Sequence, residues 1–190
     1  MLDALWLDVA PFTTAQELET AEYPGPFSDL DVSTAVAIVR GLCGWHIAPV
    51  VPLTFELNSD GSEVMELPSY NIGEPTAVKD GRGPDAADIE GWTWSRNGLL
   101  GLPRCGRPQG LANIVVTAPS GLATVPSDLL AVVADIARTR GTAAARPIGL
   151  KSRTIGGVSY TYADTMETSN GAASAGPYAR YAPILSRFTL

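Results

Sequence analysis

The chain has 190 residues, 45% of them hydrophobic and 17% charged, enough apolar content for one domain with a real core. No apolar run approaches the roughly 18 residues needed to cross a bilayer, and two cysteines, Cys43 and Cys105, exclude a disulfide framework. With 13 Lys plus Arg against 20 Asp plus Glu, the net charge of −7 has the wrong sign for gripping phosphates over a broad surface.

Taken in chain order, the opening Met1-Leu2-Asp3-Ala4-Leu5-Trp6 lacks a basic stretch followed by an apolar one, so no secretion signal is expected. Both cysteines are read as reduced thiols of a cytoplasmic product, with one bridge between them left open. Thr13 and Thr14 each have Gln or Glu three residues on, the spacing of a capping box, which predicts a short helix to about Glu22. Tyr23-Pro24-Gly25-Pro26 ends it. A second helix is expected after Ser28 or Asp29 and runs to about Cys43, with Val32, Ala35, Val36, Val39 and Leu42 along one face. Gly44 suits its C-terminal stop, with Trp45 folding back over the end.

From Val50 to Thr117 short runs rich in Val, Ile, Thr, Trp and Tyr alternate with turn residues, the pattern of strands and hairpins. Val50 to Leu57 and Val64 to Leu67 flank Asn58-Ser59-Asp60-Gly61, expected as a hairpin loop. Trp92 to Ser95 and Leu99 to Leu102 flank Arg96-Asn97-Gly98, where Asn-Gly supplies the positive φ of a tight turn. Asn113 to Thr117 reads as a further strand, and polar Lys79 to Glu90 as an exposed loop. A third helix follows Pro126-Ser127-Asp128, with Leu129, Val132, Val133 and Ile136 at i, i+3, i+4 and i+7. Gly141 is expected to stop it.

Residues beyond Gly141 show no sustained periodicity, although Ile155 to Tyr162 alternates as a strand. Tyr178, Tyr181, Ile184, Leu185 and Phe188 gather apolar groups at the chain end. Side chains that a chain end cannot bury by itself point to docking on another subunit or partner.

Candidate chemistry is sparse. His46 is the only histidine, so a nucleophilic site would pair Cys43 with His46, and a zinc site would join Cys43, His46 and Cys105. The competing reading is a helix-end cysteine in the core with a histidine on the following loop, favoured because no second Cys or His pair stands at ligand spacing. Gly81-Arg82-Gly83-Pro84-Asp85-Ala86 formally fits a dinucleotide fingerprint, but Pro84 intrudes and no helical pattern follows. Glu56, Asn58, Asp60 and Gly61 imitate a calcium loop whose closing ligand would fall on Leu67, so turn chemistry explains them better. Asp85, Asp88 and Glu90 read as solvated surface. Trp92 and Trp94 share a strand face, which would serve as a stacking platform or, on base rates, as core or subunit packing.

In this order the segments resemble the head-to-tail adaptor (head-tail connector) proteins of long-tailed bacteriophages, actinobacteriophage type. The resemblance rests on Ala35 to Pro49, closing Leu-Cys-Gly-Trp-His-Ile-Ala-Pro; on Met65-Glu66-Leu67-Pro68-Ser69-Tyr70; on the Trp92 to Gly98 hairpin; on Val125 to Leu130; and on Lys151 to Tyr160. These cover roughly residues 28 to 162. Asn113 to Gly121 departs from the family, lacking a Tyr-x-x-Gly-like ending.

The resemblance implies a non-enzymatic virion protein of the neck between head and tail, made in the host cytoplasm, without cofactor or metal. Its subunits would form a ring, commonly about twelve, beneath the portal protein and next to head-closure or tail proteins, with DNA passing through unbound. At −7 per chain such a ring would carry roughly −84, and an acidic lumen would let DNA slide.

The sequence therefore predicts an α+β protein: a helical adaptor core over residues 1–140 with a β-hairpin-rich insertion at 50–117 between the second and third helices, then an extended C-terminal arm over 141–190 with a short β segment near 155–162. The portal or subunit interface is assigned to Tyr178, Arg180, Tyr181, Ile184, Leu185, Arg187 and Phe188, so deleting residues 178 to 190 is expected to leave a folded core that no longer joins portal rings. Rival readings are a head-closure or tail-terminator ring, a small cytoplasmic enzyme using Cys43 and His46, and a binding module built on Trp92 and Trp94.

Overall fold

A computed structural model of the chain describes residues 9–81, 83, 85–103, 109–144, 152–155, 158–161 and 178–190. The architecture is α+β, with a helical layer and a two-sheet layer, each around its own apolar cluster.

Helix α1 (Ala15–Thr20) opens on the capping box read from the sequence. The Thr14 hydroxyl accepts from Glu17 N–H at 3.2 Å, and the Glu17 carboxylate accepts from Thr14 N–H at 2.9 Å. Helix α2 (Asp29–Cys43) starts on Ser28, whose hydroxyl accepts from Asp31 N–H at 3.1 Å, and ends on Gly44 at φ +82°, the left-handed geometry that glycine adopts without strain. Val32, Ala35, Val36, Val39 and Cys43 form its buried stripe. Leu42, expected on that stripe, is 41% exposed. It sits roughly 80° around the helix from Val32, at the edge of the stripe.

Helix α3 (Ser127–Ala144) packs on α2, with Leu129, Val132, Val133 and Ile136 all buried and Arg140 reaching Asp31 at 3.8 Å. It runs through Gly141, where a stop was expected. A mid-helix glycine costs only about 1 kcal/mol, and the turn around it continues with Thr142 bonding the Arg138 carbonyl.

Seven strands follow α2: β1 (Val51–Ser59), β2 (Val64–Glu66), β3 (Ala77–Asp80), β4 (Ala87–Asp88), β5 (Thr93–Ser95), β6 (Leu99–Gly101) and β7 (Gly110–Ser120). They form two antiparallel sheets, ordered β1-β7-β3-β4 and β2-β6-β5. The β5–β6 hairpin lies where Arg96-Asn97-Gly98 placed it, with Gly98 at φ +86°. The expected β1–β2 hairpin does not form: β1 pairs with β7, and residues 58–61 lead from one sheet to the other. Strand β7 is longer than the sequence suggested, and its buried Ile114, Val116 and Ala118 pair along β1 in a register that keeps Leu53 and Phe55 inside. Lys79 to Glu90, expected as loop, is largely the β3–β4 hairpin, because buried Val78 pairs with Val116 on the second edge of β7.

Beyond α3, β8 (Ser152–Ile155) and β9 (Val158–Thr161) pair antiparallel, so the described part of the segment expected as one strand at 155–162 belongs to two strands. The last described segment is a 3-10 turn, Ala179–Tyr181, running into α4 (Ala182–Leu185). An extended conformation was expected here. The chain end instead folds onto α2 and α3.

Candidate functional site

The C-terminal residues assigned to a contact surface divide into two groups. Tyr181 is 6% exposed and Leu185 4%, both inside the helical core, while Tyr178, Ile184 and Phe188 are half-buried against it. The idea that this fold has no room for them is corrected for Tyr181 and Leu185. Two helices crossing under a short third element leave an apolar seat, and α4 fills it. Arg180 and Arg187 remain exposed.

Polar contacts hold the segment in place. The Tyr181 hydroxyl donates to the Asp135 carboxylate at 2.6 Å, Arg180 lies 3.0 Å from the same oxygen, and Arg138 takes the other oxygen at 2.5 Å. Arg187 pairs with Asp128 at the start of α3. Trp45 Nε1 donates to the Phe188 carbonyl at 2.6 Å, and Leu190 N–H to the Cys43 carbonyl at 3.2 Å. Tyr178, Leu42, Ala182 and Leu185 line an apolar groove of about 310 Å³ beside α4. Trp45, Tyr70, Arg187 and Phe188 border a second cleft of about 230 Å³.

Burial works to raise the Asp135 carboxyl, but the Tyr181 hydroxyl and the two arginines more than offset it, leaving its pKa below the ordinary 3.8. Burial first, then the hydrogen bond to Asp135, push Tyr181 up to about 12. A depressed carboxyl contributes stability that is complete above its unfolded pKa and lost as pH falls through its folded pKa. Docking of α4 should therefore weaken below about pH 4. Denaturant midpoints measured at pH 3 and pH 6 should differ less for Asp135→Asn than for the parent; an equal difference would remove Asp135 from this role.

The remaining candidates fall out of the geometry one by one. Cys43 is fully buried and its thiol is pushed up to about 11 by that burial, the opposite of an activated nucleophile. His46 is also buried; its Nε2 lies 2.8 Å from the Ser120 carbonyl and 3.2 Å from that of Pro49, so this nitrogen is a donor and not a base. Desolvation lowers the His46 pKa, against the effect of those two carbonyls. Thiol labelling of the native protein should leave Cys43 unmodified until denaturant is added; rapid native labelling there would revive the enzyme reading. Cys105 lies outside the described residues.

Gly81 leads from β3 toward β4, so a strand and not a helix follows the fingerprint, with Arg82 and Pro84 themselves outside the described residues. Hydrogen bonding from Ser62, its side chain first and then its N–H at 2.8 Å, holds the Asp60 carboxyl below its usual range. Asp85, Asp88 and Glu90 are exposed, with Asp88 3.9 Å from Lys79. Trp92 and Trp94 are half-buried and pack against the core of the sheet layer.

Sequence reasoning missed the junction between the layers. Arg40, 5% exposed, donates from Nε to the His46 carbonyl at 2.8 Å, from Nη1 to Val9 at 2.8 Å, and from Nη2 to Ala10 at 2.7 Å and Ala48 at 2.6 Å. Ser69 and Ser120, both buried, bond each other through their hydroxyls. Gly121, at φ +120°, lies where a Cβ would collide with the Pro49 carbonyl and His46. The one sequence signal was the position of Arg40 beside an otherwise apolar stripe.

No protein-family model and no curated protein matches the chain. Solved structures do match. A chain from the neck of a native GTA (gene transfer agent) particle, computed with C12 symmetry, superposes with a TM-score of 0.55 at 14% identity, covering 95% of this chain and 93% of that one. A chain from the neck of an empty GTA particle, computed with C6 symmetry, gives 0.48 at 12% identity over 84% and 76%. The fold is similar to that of the chain from the native GTA particle neck.

Proposed function

We propose that the chain is a structural subunit of the neck of a phage-like particle, forming a ring that joins the portal to the tail and lets DNA pass through its centre. The observation that carries this reading is the end-to-end likeness of its fold to a neck chain from an assembly of twelvefold symmetry. A match over 95% of one chain and 93% of the other leaves little outside the shared architecture. The role is mechanical rather than enzymatic. Among the described residues, Cys43 and His46 are both buried and the His46 ring is bonded to main-chain carbonyls, which suits packing.

Two further features suit a ring subunit. Leu30 is 75% exposed and Leu111 86%, side chains that lateral contacts would cover. The net charge of −7 gives a ring of about twelve a strongly acidic character, which keeps passing DNA from adhering. The portal-facing surface would use what α4 leaves outside: Arg180, Arg187 and the outer edges of Tyr178, Ile184 and Phe188, with Tyr181 and Leu185 supporting them from beneath.

Electron microscopy and native mass spectrometry of the purified chain, with and without portal rings, test the reading. Closed rings of about twelve that stack on portal are expected. Rings that bind only a tail-side component would make it a head-closure or tail-terminator protein, and a monomer indifferent to portal would overturn the proposal.

A further inference from the structure

Among the described residues of the helical and sheet layers, every basic side chain but one has a partner. Arg40 clamps main-chain carbonyls, Lys79 faces Asp88, Arg138 and Arg180 share Asp135, Arg140 reaches Asp31, and Arg187 pairs with Asp128. The exception is Arg96, exposed in the turn between β5 and β6.

Arg96 stands on the cleft of about 230 Å³ whose floor is aromatic. The rings of Trp45 and the exposed Tyr70 lie 6.4 Å apart there, and Phe188 and Arg187, which also border the surface assigned to the portal, complete the wall. Tryptophan, tyrosine and arginine grouped in this way are the residues that carry most binding energy in protein interfaces. A guanidinium among them selects carboxylates, which it can hold by two parallel hydrogen bonds.

Copies of a chain with net charge −7 repel one another, so a lateral contact between them has to bring unlike charges face to face. The run Asp85-Ala86-Ala87-Asp88-Ile89-Glu90 meets that need, on the outer strand β4 of the four-stranded sheet. Its three carboxylates are exposed; Asp88 lies 3.9 Å from Lys79, and Asp85 and Glu90 have no partner among the described residues. Ala87, exposed between the acids, is small enough for the run to lie against aromatic rings.

The run and the cleft do not meet within one subunit. The Arg96 carbonyl accepts from Ile72 N–H at 3.0 Å, and Ile72 bridges to Ser120, so the cleft lies level with one end of β7. Ala87 pairs with Asp80, which pairs with Ile114. From Ile114 to Ser120 the strand rises about 20 Å.

We infer that the cleft of Arg96, Tyr70, Trp45 and Phe188 in one subunit receives the acidic run 85–90 of a neighbouring copy, with the Arg96 guanidinium among the carboxylates of Asp85, Asp88 and Glu90. Each copy offers one surface of each kind, so the contact repeats head to tail until the ring closes.

The inference rests on the ring reading, and charge reversal in the full chain separates the two. Arg96→Glu should lose rings while keeping the parent's thermal midpoint, and so should Asp85→Lys combined with Glu90→Lys. All three substitutions in one chain should restore rings, because unlike charges face each other again. Rings in Arg96→Glu, or no recovery in the triple variant, overturn the assignment and leave the ring reading standing. Where a variant lowers the thermal midpoint, cross-linking decides instead. In a Cys105→Ser background, oxidised Asn97→Cys with Ala87→Cys should give a reducible ladder of covalent oligomers on a denaturing gel. A cross-link that stays at the mass of one chain, or none, also overturns the assignment. If the unmodified chain forms no ring with or without portal, both readings fail.

Discussion

Deleting residues 178–190 should destabilise the helical layer by several kcal/mol, so that the truncated chain is partly unfolded or aggregates, instead of leaving an intact core that merely fails to assemble. Tyr181 and Leu185 lie almost wholly inside the cluster formed by α2 and α3. Burying a side chain of this size contributes about 1.5–3 kcal/mol, and two of them are a large part of a typical stability of about 5–15 kcal/mol. Truncation also strips Trp45 Nε1 of the Phe188 carbonyl and Asp135 of the Tyr181 hydroxyl. The single substitution Leu185→Ala isolates the packing part, with an expected cost of about 2–5 kcal/mol. Urea unfolding followed by tryptophan fluorescence measures both variants. A truncated chain with the parent's midpoint would show that α4 is dispensable to the body and return it to the status of a free arm. Because Arg180 and Arg187 also pair with Asp135 and Asp128, Arg180→Ala and Arg187→Ala probe the proposed portal contact only where the variant keeps the parent's urea midpoint.

Arg40→Met should be comparably damaging, by about 3–5 kcal/mol, although it removes no acidic partner. The four acceptors described for this guanidinium are main-chain carbonyls on two separate segments, residues 9–10 and residues 46–48. Methionine fills a similar volume but leaves those carbonyls without their charged donor, and the cost of a buried unmet acceptor exceeds the net gain of making the bond. Lysine keeps the charge, but its single ammonium cannot span the arc that the planar guanidinium covers, so Arg40→Lys should fall between. Burial lowers the Arg40 pKa from its usual 12.5, yet a guanidinium stays charged at neutral pH. A loss below about 1 kcal/mol for Arg40→Met would mean water replaces the guanidinium at little cost.

The chain end and Arg40 differ in what their local sequence reveals. At the chain end the residues were noticed and the destination was wrong: Tyr181, Leu185 and Phe188 cannot cover one another, but the seat they occupy is built by α2 and α3 from residues about forty and more positions away. At Arg40 a charge on the rim of an apolar stripe resembled an ordinary solvated arginine. Only the return of the chain at residues 46–48 and the approach of residues 9–10 made it a buried clamp.

The sequence by itself determined the local elements, because their causes are local. Thr14 with Glu17, Ser28, Gly44 and Asn97-Gly98 act within three or four residues of the backbone they organise, and the periodicity of Val32 to Val39 and Leu129 to Ile136 reports one helix face. Strand partnership was decided only by the tertiary structure. A hairpin turn makes neighbours in sequence pair, but β1 chose β7, more than fifty residues on, because the longer strand buries Leu53, Phe55, Ile114 and Val116 together. That choice, like the seat of α4 and the clamp at Arg40, compares the free energy of burial among distant segments, and no window of sequence contains both sides of that comparison.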